Sequence, residues 1–266
     1  MNRYSIDDLL YLMARLRDPE SGCPWDIKQD YASIAPSTLE EAYEVVDAIE
    51  KQDFVHLKEE LGDLLFQVIF YSQLGKEDGR FAFDGVVSDL VEKLIRRHPH
   101  VFPDGTLESR VDNRATLPTD VKARWEAIKQ QEREAKGKAG LLADVPLNLP
   151  ALSRAAKLQK RAAGVGFDWD DVKGPIDKVR EELAEVEGEL ESGDQSRLEE
   201  ELGDLLFAAV NIARYMKIDP EQALRRANQK FEKRFGFIEA NVSSSLEQTS
   251  IEEMNRLWDL AKSMDR

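Results

Sequence analysis

The feature that most constrains the fold of this chain is an internal repeat. Residues 40–65 (EEAYEVVDAIEKQDFVHLKEELGDLL) and residues 181–206 (EELAEVEGELESGDQSRLEEELGDLL) align without a gap, at a constant offset of 141 residues. The segment ELGDLLF occurs intact at 60–66 and again at 201–207. Self-similarity of this kind is the sequence signature of a duplicated structural unit. The chain of 266 residues is therefore predicted to contain two similar domains, a number that its length also allows.

The boundary between the two domains is expected where the repeat lapses and helix-breaking residues cluster. The segment 136–150 (KGKAGLLADVPLNLP) contains two glycines and two prolines. We therefore predict an N-terminal domain at 1–136, a linker at 137–150 and a C-terminal domain at 151–266.

Both copies of the repeat predict helices. Ser37 and Glu40, directly after Pro36, have the spacing of a capping box and predict a helix that begins there. Asp53 and Asp194 are placed to cap the next helix in each copy. The apolar residues after Asp53 recur at helical spacing: Leu57, Leu61, Leu64, Leu65, Val68 and Ile69. Neither copy shows an alternating strand pattern, so we predict an all-α protein made of two tandem helical bundles.

The charge balance excludes several classes of partner. The chain has 52 acidic and 37 basic residues, a formal net charge of −15, so a nucleic acid or an anionic membrane surface would be repelled. The N-terminus lacks the pattern of a signal peptide, and the longest apolar runs fall short of the ~20 residues that span a membrane. The single cysteine, Cys23, excludes an intramolecular disulfide. We expect a cytoplasmic protein with no nucleic-acid and no membrane partner.

Each copy carries two acidic pairs on consecutive helices. Glu41 and Glu44 lie three residues apart, which places them on one face of a helix. Glu60 and Asp63 repeat this spacing on the next helix. If the two helices pack antiparallel, the four carboxylates converge and repel one another unless a divalent cation binds them. The C-terminal copy has the same set: Glu182, Glu185, Glu201 and Asp204.

The type of ligand indicates which metal these acids would bind. A site made only of carboxylate oxygens favours Mg²⁺, for which Mn²⁺ can substitute. A di-iron bundle would need Glu-x-x-His pairs, which the sequence lacks, and one cysteine cannot build a cysteine-rich zinc site. The acids therefore predict a magnesium site in each copy.

The spacing of E-E-x-x-E and E-x-x-D resembles that of the MazG family of nucleoside triphosphate pyrophosphohydrolases, in the all-α NTP pyrophosphatase superfamily. Further segments extend the resemblance over nearly the whole chain: TLEEAYEV, ELGDLLFQV, RRHPHVF, VGFDW and KFEKRF. The resemblance implies Mg²⁺-dependent hydrolysis of nucleoside triphosphates to the monophosphate and pyrophosphate. It also implies dimeric bundles in which the subunits complete each other's sites.

Carried over residue by residue, the resemblance implies that the eight acids named above are the metal ligands. Glu181 and Glu40, the first acids of the two motifs, match a position suited to polarising the attacking water. The catalytic set implied for the C-terminal copy is Glu181, Glu182, Lys230 and Arg234.

Basic residues also recur in pairs. Lys230 and Arg234 lie four residues apart and project from one helical face, where they can bind phosphate oxygens. Lys93 and Arg97 repeat this pair in the N-terminal copy. Because the pair occurs in both copies, we interpret it as phosphate-binding rather than as a surface feature.

A second repeated pair has two interpretations. Trp258 and Lys262, like Trp125 and Lys129, lie four residues apart. The Trp258 ring can stack on a nucleotide base, or it can pack against its own bundle. The family resemblance favours the nucleotide contact for Trp258.

The two copies differ just before the first acidic motif. Lys178 and Arg180 precede Glu181, whereas Ser37 and Leu39 hold the equivalent places in the N-terminal copy. Cations there would offset phosphate charge in the transition state, so the C-terminal site is predicted to dominate turnover. Its predicted nucleotide-binding set is Lys178, Arg180, Glu181, Glu200, Lys230, Arg234, Trp258 and Lys262. A weaker N-terminal site would comprise Glu40, Lys93, Arg97, Trp125 and Lys129, beside its four metal ligands.

Two classes of function fit these observations. The first is a homodimeric enzyme that converts NTPs and dNTPs to monophosphates and pyrophosphate, with a role in cleansing the nucleotide pool. The alternative is a non-enzymatic helical dimer that senses nucleotides and has a regulatory role. The complete acid set, together with the paired Lys and Arg residues, favours the enzyme.

Overall fold

The predicted all-α class is confirmed. The computed structural model describes residues 3–110, 124–125, 127–128, 131–132 and 140–264, and over these ranges the chain forms helices joined by turns, with no strand. The chain divides into two compact units, unit 1 (Met1–Glu132) and unit 2 (Arg133–Arg266). The domain boundaries inferred from the sequence stay a prediction.

Unit 1 is built around a pair of long helices. Its helices are α1 (Ile6–Leu16), α2 (Pro24–Lys28), α3 (Tyr31–Glu50), α4 (Phe54–Glu77) and α5 (Phe83–Arg97). The connection between α3 and α4 is only three residues long, so the two helices run antiparallel and pack along each other. Helix α1 packs on α4. The buried core of the unit comprises Met13, Ile34, Ile69, Phe70 and Leu74.

Unit 2 repeats the antiparallel pair. Its helices are α6 (Ala151–Ala163), α7 (Lys173–Ser192), α8 (Gln195–Tyr215), α9 (Pro220–Asn241) and α10 (Ile251–Met264), with a 3₁₀ turn at Leu246–Gln248. Helix α7 packs along α8, and α6 packs on α8 in turn. Gly193 ends α7 with φ of 76°, a left-handed conformation that glycine adopts without steric cost.

One predicted helix start is wrong. Helix α3 begins at Tyr31 rather than at Ser37, because Asp30 caps it by accepting hydrogen bonds from the backbone N–H groups of Ala32 (2.9 Å) and Ser33 (2.8 Å). Pro36 lies inside the helix and costs it one backbone hydrogen bond. This cost is offset because the extra turns bury Ile34 in the core.

The caps predicted for the second helix of each pair are confirmed. Asp53 accepts hydrogen bonds from the backbone N–H groups of Val55 (3.2 Å) and His56 (3.0 Å). Asp194 accepts the equivalent bonds from Ser196 (3.0 Å) and Arg197 (3.3 Å).

The apolar stripe predicted on α4 is only partly buried within its unit. Ile69 is fully buried, but Leu61 and Leu65 remain exposed. Leu202 and Leu206, the equivalent residues of α8, are exposed as well. Helical spacing places these side chains on one face, but spacing does not determine what covers the face. No helix in the described part of the chain is long and apolar enough to cross a membrane.

Candidate metal and nucleotide site

The central pair of helices brings the acids of unit 1 together. Glu41 comes from α3, and Glu60 and Asp63 come from α4. Each of these three residues offers a carboxylate oxygen, and the three oxygens lie within 4.8 Å of one another. Glu44, the fourth predicted ligand, shares a hydrogen bond with Glu60. We call these four residues the unit 1 acidic cluster.

Unit 2 repeats this arrangement. Glu182 comes from α7, and Glu201 and Asp204 come from α8; one carboxylate oxygen from each lies within 4.8 Å of the others. The Glu185 carboxyl lies close to that of Glu182 and interacts with it. These four residues form the unit 2 acidic cluster.

Crowding of the carboxylates changes how they titrate. Burial, followed by repulsion from Asp63 and Glu44, raises the pKa of Glu41. Burial and the neighbouring Glu44 likewise raise the pKa of Glu60. A raised carboxyl pKa means that the folded protein disfavours the ionised form.

The same effect operates in unit 2. Burial, together with repulsion from Glu182 and Asp204, raises the pKa of Glu201. Close approach to the Glu182 carboxyl, together with burial, raises the pKa of Glu185. Both clusters therefore hold more negative charge than their surroundings offset, which is the condition that a bound cation relieves.

A basic side chain contacts each cluster. In unit 1 the His56 Nδ1 atom lies 3.1 Å from Oε1 of Glu60. In unit 2 the Lys178 Nζ atom lies 2.6 Å from Oε1 of Glu182 and 2.8 Å from Oε1 of Glu181. These two hydrogen bonds raise the pKa of Lys178, so its ammonium stays charged.

Sequence reasoning missed His56 as a neighbour of the acids. Its signal is its position four residues before Glu60 on the same helix, a spacing at which two side chains meet.

In unit 2 one buried carboxylate oxygen lacks a hydrogen-bond donor among the described residues, which indicates whether a metal ion would fit the cluster. Glu182 is 4% exposed, and its Oε2 atom is buried and accepts no hydrogen bond from the described residues. A buried carboxylate oxygen without a donor is costly. A hard divalent cation bound also by Glu201 and Asp204 would satisfy this oxygen, so the residues present fit Mg²⁺ or Mn²⁺.

The predicted phosphate-binding residues of unit 2 lie on α9, and the predicted base-stacking residue lies on α10. The Arg234 guanidinium carbon lies 5.6 Å from the ring centre of Trp258, and the Phe231 ring centre lies 5.4 Å from it. Trp258 therefore packs against its own bundle, which is one of the two roles considered for it from the sequence. Part of its ring remains exposed. Lys230 and Lys262 are exposed.

The remaining predicted residues of unit 2 are accessible to a ligand. Glu181 and Glu200 are exposed on α7 and α8. Arg180 is exposed and pairs with Asp177, at 2.6 Å between Nη1 and Oδ1. Their roles towards a nucleotide stay predictions.

In unit 1 the arginine that matches Arg234 lies in an ion pair. The Arg97 Nη2 atom lies 2.5 Å from Oε2 of Glu132, and both side chains are largely buried. Arg97, with help from Arg96, lowers the pKa of Glu132 to about 2. Sequence reasoning missed Glu132, which has no signal in the motifs. Lys93 is partly buried on α5.

The other members of the predicted N-terminal site are placed as follows. Glu40 is exposed, one residue before Glu41 on α3. Trp125 is partly buried. Lys129 lies outside the described residues.

Comparison with known proteins identifies a family model that matches both units. A family model described as the MazG nucleotide pyrophosphohydrolase domain matches residues 29–102 and 174–235. The two matched segments contain both acidic clusters and both Lys–Arg pairs.

Relatives match along nearly the whole chain. The chain is 51% identical over 262 residues to a nucleoside triphosphate pyrophosphohydrolase of Escherichia coli (strain K12), covering 97% of each protein. It is 42% identical over 263 residues to the nucleoside triphosphate pyrophosphohydrolase/pyrophosphatase MazG of Thermotoga maritima, covering 98% of this chain and 96% of the relative. The chain therefore belongs to the MazG nucleotide pyrophosphohydrolase family.

Proposed function

We propose that this protein is an enzyme that hydrolyses nucleoside triphosphates to the monophosphate and pyrophosphate with Mg²⁺ or Mn²⁺. The observation that carries the proposal is the buried Oε2 atom of Glu182, which lacks a hydrogen-bond partner beside the carboxylates of Glu201 and Asp204. The names of the relatives from E. coli and T. maritima support the reaction.

In the proposed reaction, water attacks the α-phosphorus. The bond from that phosphorus to the bridging oxygen breaks, and pyrophosphate leaves. Glu181 is exposed beside the cluster, so it can orient the water and accept its proton. A divalent cation held by the unit 2 acidic cluster would neutralise phosphate charge as it develops.

The basic residues of unit 2 would bind the phosphates. Lys178 already lies at the cluster, and it is partly exposed. Lys230 and Arg234 supply a point charge and a planar fork, respectively, for the leaving pyrophosphate. Trp258 and Lys262 complete the proposed contacts of the nucleotide, with the exposed part of the Trp258 ring offering a surface for the base.

We further propose that unit 2 performs most of the turnover. Glu181 and Glu182 are preceded by Lys178 and Arg180, and their equivalents in unit 1 are preceded by uncharged residues. Unit 1 would be weaker, more selective or structural. The proposed substrates include dNTPs as well as NTPs, with nucleotide-pool cleansing as the biological role in the cytoplasm.

The chain is proposed to act as a homodimer. Exposed leucines line the second helix of each central pair, as Leu61 and Leu65 do in unit 1 and Leu202 and Leu206 do in unit 2. Apolar surface of this kind is stabilised when a second copy buries it. We expect sedimentation at micromolar concentration to give a species of twice the chain mass. An active species of about 30 kDa would refute the dimer.

The test of the proposed function is a product analysis. Canonical and altered NTPs and dNTPs should be incubated with catalytic amounts of the protein and Mg²⁺, with pyrophosphate and orthophosphate measured separately. We expect monophosphate and pyrophosphate, with activity lost in EDTA and recovered with Mg²⁺ or Mn²⁺.

Three results would contradict the proposal. Orthophosphate with the diphosphate as the first products would indicate a different bond cleavage. Full activity in EDTA would remove the metal from the reaction. Tight nucleotide binding without turnover would favour the nucleotide-sensing alternative.

A further inference from the structure

The contact between Lys178 and the unit 2 acidic cluster has a particular geometry. Lys178 lies on α7, one helical turn before Glu181 and Glu182, and its Nζ atom contacts both carboxylates. The lysine side chain is 39% exposed, whereas the Glu182 side chain is 5% exposed. The ammonium therefore reaches a buried acceptor from the solvent side, and it can leave without crossing packed protein.

The Glu182 carboxylate is satisfied at one oxygen only. Oε1 contacts Lys178, and Oε2 is buried without a partner among the described residues. A divalent cation would satisfy Oε2 with help from Glu201 and Asp204. It would then share one carboxylate with the ammonium of Lys178, and two positive charges at such short range repel each other strongly.

We infer that Lys178 is an exchangeable counter-ion of the unit 2 metal site. In the free protein its ammonium offsets part of the charge of the four carboxylates. A divalent cation that binds Glu182 displaces the ammonium towards solvent, where a triphosphate can accept it. Metal binding and triphosphate binding then favour each other by the same factor, as thermodynamic linkage requires. The inference rests on the proposed function, which supplies the triphosphate as second ligand.

Unit 1 provides an internal comparison. Ser37 occupies the position that matches Lys178, so no lysine at that position competes for the carboxylate of Glu41. Metal binding to the unit 1 acidic cluster should therefore depend less on a triphosphate than metal binding to unit 2.

The experiment measures Mn²⁺ affinity without nucleotide. The full-length Glu41→Gln variant removes one ligand of unit 1 and isolates the unit 2 site, and free Mn²⁺ is followed by electron paramagnetic resonance. Lys178→Met should tighten Mn²⁺ binding about fivefold, because the metal no longer has to break an ion pair between two unit charges about 4 Å apart, which is worth about 1 kcal/mol in a water-like dielectric. Lys178→Arg, which keeps the charge, should leave the affinity near that of the parent.

Lys157→Met is the matched control, because it removes the same charge from an exposed position on α6. A second titration adds a non-hydrolysable triphosphate analogue. The analogue should enhance Mn²⁺ affinity less in Lys178→Met than in the parent, because the lysine no longer has to be displaced.

Unchanged or weaker Mn²⁺ binding by a folded Lys178→Met variant would overturn the inference. Equal tightening by Lys157→Met would also overturn it, since the effect would then be one of net charge. If circular dichroism shows that Lys178→Met is unfolded, Lys178→Gln takes its place in the same test. Absence of hydrolysis would refute the proposed function alone, because Mn²⁺ affinity without nucleotide does not depend on turnover.

Discussion

The two units carry the same four acids in the same order, but they bury a different one. The buried carboxylate is Glu60 in unit 1, on the second helix of the central pair, and Glu182 in unit 2, on the first helix. By alignment Glu182 matches Glu41, and Glu201 matches Glu60. Duplication thus preserved the ligand set, while the environment of each ligand depends on the residues packed around it.

The basic neighbours explain part of this difference. His56 contacts Glu60 in unit 1, and its counterpart Arg197 instead pairs with Glu189 (3.7 Å) and Asp194 (3.8 Å). In unit 2 the contact to the buried acid comes from Lys178 on the other helix. A buried carboxylate needs a hydrogen-bonding or charged partner, so the basic residue and the buried acid lie together in each unit.

The matching arginines of the two units each contact another side chain. Arg97 forms an ion pair with Glu132, and Arg234 lies over the Trp258 ring. A phosphate that approached Arg97 would have to compete with the Glu132 carboxylate.

The largest expected difference in catalytic rate is between two variants that each lose one metal ligand, Glu182→Gln in unit 2 and Glu41→Gln in unit 1. Glu182→Gln should lower the rate of pyrophosphate release by about 100-fold or more, because it removes a ligand of the proposed metal. Glu41→Gln should leave the rate within about threefold of the parent. Steady-state assays measure both rates, and circular dichroism checks the fold.

The reverse result would assign the chemistry to the other unit. If Glu41→Gln abolishes activity while Glu182→Gln does not, unit 1 performs the chemistry. Equal partial losses would mean two working sites, and Lys178 and Arg180 would then have no deciding role.

A smaller effect, on triphosphate affinity, is expected when the ion pair between Arg97 and Glu132 is removed. Glu132→Gln should strengthen triphosphate binding by unit 1 about fivefold, which is what a partly exposed ion pair is worth at most. Calorimetric titration with a non-hydrolysable analogue measures this in a background of Glu182→Gln and Arg234→Ala. Glu92→Gln on α5 removes the same charge and is the control. An unchanged affinity, or an equal gain in the control, would show that Glu132 does not compete with phosphate.

The smallest effect concerns stability without metal. Because the folded protein raises the pKa of Glu60 above its ordinary value, protonation favours folding, and stability is lost as the pH rises through the raised pKa. In EDTA at pH 7, Glu60→Gln should therefore raise the Tm by about 2–4 °C. The gain should vanish near pH 4, where the carboxyl is protonated in both states. Glu60 also contacts His56, but burial and the neighbouring carboxyls outweigh that contact in raising its pKa. Glu182→Gln should show no such gain, because the charge that it removes is paired with the Lys178 ammonium.

Thermal unfolding followed by circular dichroism measures these changes. Glu199→Gln, at an exposed position on α8, controls for net charge. Added Mg²⁺ should raise the Tm of the parent more than that of Glu60→Gln. Equal Tm values for the parent and Glu60→Gln across this pH range would show that the cluster carries no electrostatic cost.

Local and periodic features were predictable from the sequence. The caps at Asp53 and Asp194 follow from side chains that bond their own helix starts. The start of α3 was not predicted, because the Pro36 signal for a helix boundary is outweighed by the Asp30 cap and the burial of Ile34. The acids were identified by spacing, but their distances depend on how two helices pack.

The duplication, the all-α class and the positions of the paired acids could be read from residue order, because repetition and helical periodicity are properties of the sequence. The family could be inferred from its motifs. Helix packing determines which acid is buried in each unit and which basic side chain contacts it. It also brings Arg97 into its ion pair with Glu132. These features depend on side chains that come from different helices or lie far apart in the chain. Their burial and electrostatics arise only when those helices pack, since charge interactions strengthen as water is excluded.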